Sequence, residues 1–148
     1  MISQEAKKRL LDEALARTIP QSREWVRQQE NTGDSGYWVE VQAPAQPIAR
    51  HLTIVLRHDG DIQIEYHLAG KPSSPFEYLI SLEPGHEEQA IEVASRFVAD
   101  LVTERLVLAY AKGILKGGRR FLAPDLAHSD RGRLGWISSW LGTYDWEL

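Results

Sequence analysis

The chain has 148 residues, 43% of them hydrophobic and 26% charged, which is enough for one domain with its own core and too little for two ordinary ones. It contains no cysteine, which excludes disulfide stapling, thiolate nucleophiles and thiolate metal sites. The net charge of −4 is segregated: residues 112–133 carry +4 and residues 1–111 carry −6, so general nucleic-acid binding, which needs a basic footprint, is not expected.

The N-terminal stretch MISQEAKKRLLDEALAR is charged throughout and lacks the apolar run of a signal peptide. The most apolar segment, LVTERLVLAYAKGIL, carries Glu104, Arg105 and Lys112, so no membrane association is expected and a cytoplasmic location is. Residues 3–17 predict a helix with Ser3 as N-cap, Ala6, Leu10, Ala14 and Leu15 facing inward, and Lys7, Lys8, Arg9, Asp12 and Glu13 facing away. Thr18-Ile19-Pro20 interrupts it, because the residue before proline is pushed out of the α region. A short second helix is expected over 21–29, with Trp25 and Val26 on one side.

NTGDSG (31–36) reads as a loop, and YWVEVQ after it as a strand closed by the proline-punctuated APAQP. His51–Arg57, Asp61–Leu68 and Phe76–Leu82 are three more strands, giving an antiparallel meander of four. After Pro84-Gly85, apolar residues recur at three- and four-residue steps from Ile91 to Ala109, predicting a long helix from Glu87 toward Lys116, with Gly113 as a bend or early end and Gly117-Gly118 as the stop. Pro124, Gly132, Gly135 and Gly142 make the remainder an irregular, Trp-rich tail. The expected fold is therefore α+β: residues 1–148 as a single domain, a four-stranded meander covered on one face by the long helix, an N-terminal helix and that tail.

The stretch RHDGDIQIEYH (57–67) is dense in groups that carry chemistry, and register decides what they do. A two-residue Asp59-Gly60 turn would set Leu56, Ile54 and Leu52 beside Gln63, Glu65 and His67, which a half-covered sheet disfavours. A three-residue His58-Asp59-Gly60 loop pairs Leu56 with Ile62, Ile54 with Ile64 and Leu52 with Tyr66, with Gly60 in the left-handed position of a bulged turn. On the opposite face the same register brings His51 to His67 and Thr53 to Glu65. His51, Glu65 and His67 are then the candidate ligands for a divalent metal, against the plainer reading of a solvated polar face. Two neighbouring imidazoles also oppose each other's protonation, which makes that face a candidate for pH sensitivity.

Two other clusters stand out. Arg119, Arg120, Arg131 and Arg133 form a local anion patch if the tail folds back, although no phosphate-loop pattern surrounds KGGRR. Trp136, Trp140 and Tyr144 recur at helical spacing with Trp146 close behind, and such aromatic surface must be buried against the protein's own core, a second copy or a partner. Trp136, Trp140, Tyr144 and Trp146 are accordingly the candidate partner-binding residues.

No nucleophile elbow, zinc-protease helix or paired-carboxylate motif is present, no cofactor is expected, and nothing points to an enzyme. The composition favours a non-catalytic protein-binding module that neutralises or escorts another protein, a basic one by charge, in the manner of an immunity or antitoxin-type inhibitor or a secretion chaperone, with homodimerisation a further option. The alternative is a small enzyme or a ligand- or metal-binding domain using the polar face of the sheet.

Overall fold

A computed structural model of the chain describes residues 3–30, 36–58, 60–71, 75–111 and 119–147. Asp59, Lys112, Gly113 and Lys116–Gly118, which bear on the expectations above, lie outside the described residues. The fold is α+β, as the pattern of the sequence implies, and it divides into two compact units, residues 1–99 and 100–148. Among the described residues no helix is long and apolar enough to cross a membrane.

The first unit opens with α1 (Gln4–Thr18), capped by the Ser3 hydroxyl, which accepts from the Ala6 amide at 3.1 Å. Its buried stripe is Lys7, Leu11, Ala14 and Leu15, one position on from the expected start, so Lys7 lies inside rather than out. Two adjacent leucines, Leu10 and Leu11, fit either phase, and packing selects the second. A 3-10 turn over Pro20–Glu24 follows. Residues Val26–Gln29, expected as helix, form the strand β1 instead. The element is too short for helical periodicity to assert itself, and pairing with the next strand supplies its hydrogen bonds.

Four further strands complete a five-stranded antiparallel meander in the order β1-β2-β3-β4-β5: β2 (Tyr37–Gln42), β3 (Arg50–Leu56), β4 (Ile62–Leu68) and β5 (Phe76–Ile80). The β3–β4 register is the one the three-residue loop demands, with Leu56 opposite Ile62, Ile54 opposite Ile64 and Leu52 opposite Tyr66. Gly60 has φ +99°, the left-handed geometry that favours a residue without Cβ. On the inner face Tyr37, Val39, Leu52, Ile54, Leu56, Ile62, Ile64, Tyr66 and Phe76 are each at most 3% exposed, whereas Tyr78 on the edge strand β5 is 41% exposed. Both helices meet it: the Tyr37 hydroxyl donates to Asp12 of α1 at 2.7 Å, and Tyr78 stacks on Phe97 of α2 at 4.3 Å. Burial and Asp12 together push the Tyr37 hydroxyl far above its usual range.

The second helix, α2, runs from Glu87 to Val102 and ends well before Lys116. Glu104 takes a left-handed backbone, φ +60°, and Val107–Ala111 then becomes the strand β6. The run VLAYA is apolar at every position, so it suits a strand buried on both faces as well as a helix.

The second unit is a smaller antiparallel sheet in the order β7-β6-β8-β9, where β7 is Arg119–Leu122, β8 is Leu134–Ser138 and β9 is Trp146–Glu147. A short helix, α3 (Pro124–Ser129), contributes Ala127 to a core with Val107, Ala109, Leu134 and Ile137. The buried Glu104 carboxylate accepts from the Leu141 and Thr143 amides, each at 3.2 Å, and from the Thr143 hydroxyl, fixing the turn before β9. The tail is thus ordered by strand pairing and by one carboxylate that organises a turn from nearly forty residues away along the chain.

Candidate functional site

Strand alternation that buries the apolar residues of the first unit leaves the opposite side chains on the other face of its sheet. Cross-strand pairing arranges these in three rows. Glu40, Thr53, Glu65 and Glu77 form one, Gln42, His51 and His67 a second, and Gln28, Trp38, Val55, Gln63 and Leu79 a third. Together they make a shallow, open depression of about 380 Å³ lined by Glu30, Trp38, Glu40, His51, Thr53, Val55, Glu65 and His67.

The carboxylates here are braced by neighbours within the face. Trp38 Nε1 donates to Glu40 Oε1 at 2.6 Å. Gln63 Nε2 donates to Glu65 Oε2 at 3.2 Å, and Gln63 Oε1 accepts from Arg57 Nη1 at 2.9 Å. Burial and then the charge of Glu77 hold the Glu65 carboxyl above the usual carboxylate range, against the opposing hydrogen bond from Gln63.

His51 and His67, brought together as the register requires, stack face to face with centroids 3.9 Å apart and planes 5° from parallel. Burial lowers the proton affinity of both rings. The neighbouring His67 lowers that of His51 further, while the charge of Glu40 pulls each ring the other way. Two unit charges about 4 Å apart repel by about 1 kcal/mol in water and about 4 kcal/mol at the effective dielectric of a protein surface.

This geometry does not suit the metal site that the sequence raised. Imidazole lone pairs lie in the ring plane, so parallel stacked rings cannot both aim a nitrogen at one ion between them. Among the described residues no group of three or more His, Asp or Glu side chains is arranged to hold a metal. A hydrolytic arrangement fits no better. Thr53 Oγ1 lies 3.4 Å from His67 Nε2, but Glu65 Oε1 approaches that same nitrogen, at 3.8 Å, instead of orienting the ring through its other one.

The remaining sequence candidates fall in the second unit. Trp140 is only 5% exposed, and Tyr144 and Trp146 pack half-buried against the small core. Trp136 stacks with Tyr110 at 5.4 Å. Of the four aromatic residues expected as an anchor, Tyr144 and Trp146 thus pack on the core of their own unit, Trp140 is buried, and Trp136 is half-buried. Arg131 and Arg133 are exposed on the 3-10 turn Arg131–Arg133, whereas Arg119 and Arg120 sit on β7 with side chains outside the described residues. Arg131 Nε donates to the His128 carbonyl at 3.2 Å.

Trp38, Glu40 and Glu30 were not singled out by the sequence, although YWVEVQ does signal that Trp38 and Glu40 share a face. Their approach to His51 and Glu65 depends on the β2–β3 register, which the seven-residue connection 43–49 sets and no turn motif announces. No protein-family model, no curated protein and no solved structure matches this chain, and the geometry above carries the functional reading on its own.

Proposed function

We propose that the chain is a non-catalytic protein-binding module that docks a basic partner on the polar face of its five-stranded sheet, neutralising or escorting that partner. The observation that carries this reading is the division of labour between the two faces: both helices reach the inner face, and the outer one presents Glu40 and Glu65 on either side of Thr53, with Trp38, Glu30 and Glu77 around them. Pre-braced carboxylates beside an aromatic ring complement lysine and arginine side chains and steer a basic partner electrostatically.

A second reading draws on the depression itself, whose volume of about 380 Å³ is that of a small-ligand site. A small cation held between the same carboxylates would use the same chemistry.

Capture from cell lysate on immobilised protein, wild type against the Glu40→Lys/Glu65→Lys double variant, separates the two. A basic protein retained in stoichiometric amount by the wild type, at least roughly tenfold less by the variant, and released by salt supports docking. A clean monomer that retains no protein but carries a metabolite or metal sinks it.

A further inference from the structure

Among the described residues, the His51–His67 pair is the one place on this sheet face where two imidazole rings touch, and its setting defines what protons do there. The rings are offered by adjacent strands, so the backbone holds them opposite one another whatever their charge. The charged groups around them are Glu40 on β2, Glu65 on β4, Glu77 on β5 and Glu30 after β1, with Arg57 and Asp61 at the hairpin end beyond Gln63. A first proton on the pair meets a stacked, neutral neighbour and is answered by the charges of Glu40 and of Glu65, whose Oε1 lies 3.8 Å from His67 Nε2, against the cost of burial. A second proton places two cations in face contact.

We propose that the His51–His67 stack is a two-step proton switch for this face, keeping it acidic near neutral pH, accepting one proton with the stack intact, and coming apart when the second arrives. Its bearing on a partner rests on the docking reading above. As pH falls the face gains positive charge from the pair, while Glu65, already disposed to hold a proton by its burial and by Glu77, sheds negative charge. Both changes weaken a surface built for a basic partner, so acidification is the release signal.

The test uses the free protein and needs no partner. The ring nitrogens of His51 and His67 are followed by heteronuclear NMR from pH 8 to pH 4, with EDTA present, in the wild type and in the His51→Gln and His67→Gln variants. In the wild type the two rings are expected to titrate as a pair, with the second proton bound at least about tenfold more weakly than the first, and with ring-to-ring NOEs lost only in the second step. In each single variant the remaining ring should titrate in one step, at higher pH than the second step of the wild type. Independent single-step titrations, unchanged by removing the other ring, overturn the switch. Having two variants guards against one that fails to fold. A hexa-arginine peptide, titrated at pH 7.5 and pH 5 in parallel, separates this idea from the one beneath it. If the two-step titration is present and the peptide does not bind at pH 7.5, the switch stands and the docking reading falls.

Discussion

The two faces of the five-stranded sheet are made by the same strands, yet they are stabilised by different means. On the inner face, which both helices reach, Leu52, Ile54, Ile62 and Ile64 are at most 1% exposed. On the outer face, Thr53 and Val55 are nearly as buried, at 8% and 5%, but their cover comes from long neighbours in the sheet itself, such as Trp38, Gln63 and His67. Inner-face burial is therefore close packing that cannot be altered without leaving a void. Outer-face burial is a layer of polar side chains leaning on one another, which can be rearranged at little cost to the fold. A surface of the second kind is free to be shaped for recognition.

That contrast is broken most forcefully at the centre. Ile54→Ala removes most of a side chain with no exposed surface and is expected to cost about 2–5 kcal/mol in chemical denaturation. Thr53→Ala, one residue away on the other face, gives up a long 3.4 Å contact with His67 and is expected to cost no more than about 1 kcal/mol. Similar losses at both positions would mean that the outer face is as close-packed as the inner one.

Gly60 determines which residues belong to which face, and is the next largest lever. Its φ of +99° strains any L side chain, and a Cβ there would meet the tip of Lys7, 3.2 Å away. The lysine tip can yield but the backbone cannot, so Gly60→Ala should cost about 1–2 kcal/mol in the same denaturation measurement. If the hairpin evades the strain by slipping one residue, every side chain of one strand changes face. The NOEs between the His51 and His67 rings would then vanish, whereas a merely destabilised hairpin retains them.

The same hairpin shows why part of the molecule was legible in its sequence and part was not. Alternation in HLTIVLR and DIQIEYHL, combined with a glycine where a left-handed residue is needed, leaves only one register that hides the isoleucines. The stacked histidines follow from it without further information. Elsewhere two patterns fitted equally well. Leu10 and Leu11 allow two phases of α1, and only packing reveals that Lys7 belongs inside. The segment Val107–Ala111 continues the apolar spacing of α2, and what ends that helix is a left-handed Glu104 whose partners, Leu141 and Thr143, lie far along the chain. The strand β1 has one apolar residue in four, and its conformation comes from β2. The candidate site was half legible for the same reason: His51, Glu65 and His67 lie on one hairpin, whereas Glu40 and Trp38 reach them through a longer connection.

The finest test of the contrast between the faces is Glu65→Gln. Since burial and Glu77 raise the folded-state pKa of Glu65 above its unfolded value, the folded protein holds that proton more tightly than the unfolded chain. The stability associated with the proton is present below the unfolded pKa and is lost as pH rises through the folded one, so at neutral pH the ionised carboxylate is a net cost. Glutamine keeps the side-chain length and can remain beside Gln63. The variant should thus be slightly more stable than the wild type at pH 7, by no more than about 1 kcal/mol given the partial exposure of the group, and the difference should shrink toward zero as acid protonates Glu65. The two histidines act in the opposite sense, since their lowered proton affinities make acid destabilising. The comparison is therefore cleanest in a His67→Gln background, measured by urea denaturation at several pH values. A stabilised Glu65→Gln protein that also binds hexa-arginine more weakly would identify Glu65 as a residue retained for recognition at the expense of the fold. Loss of stability on the same substitution would instead make Glu65 a structural carboxylate like Glu104, and would remove the outer face from the functional argument.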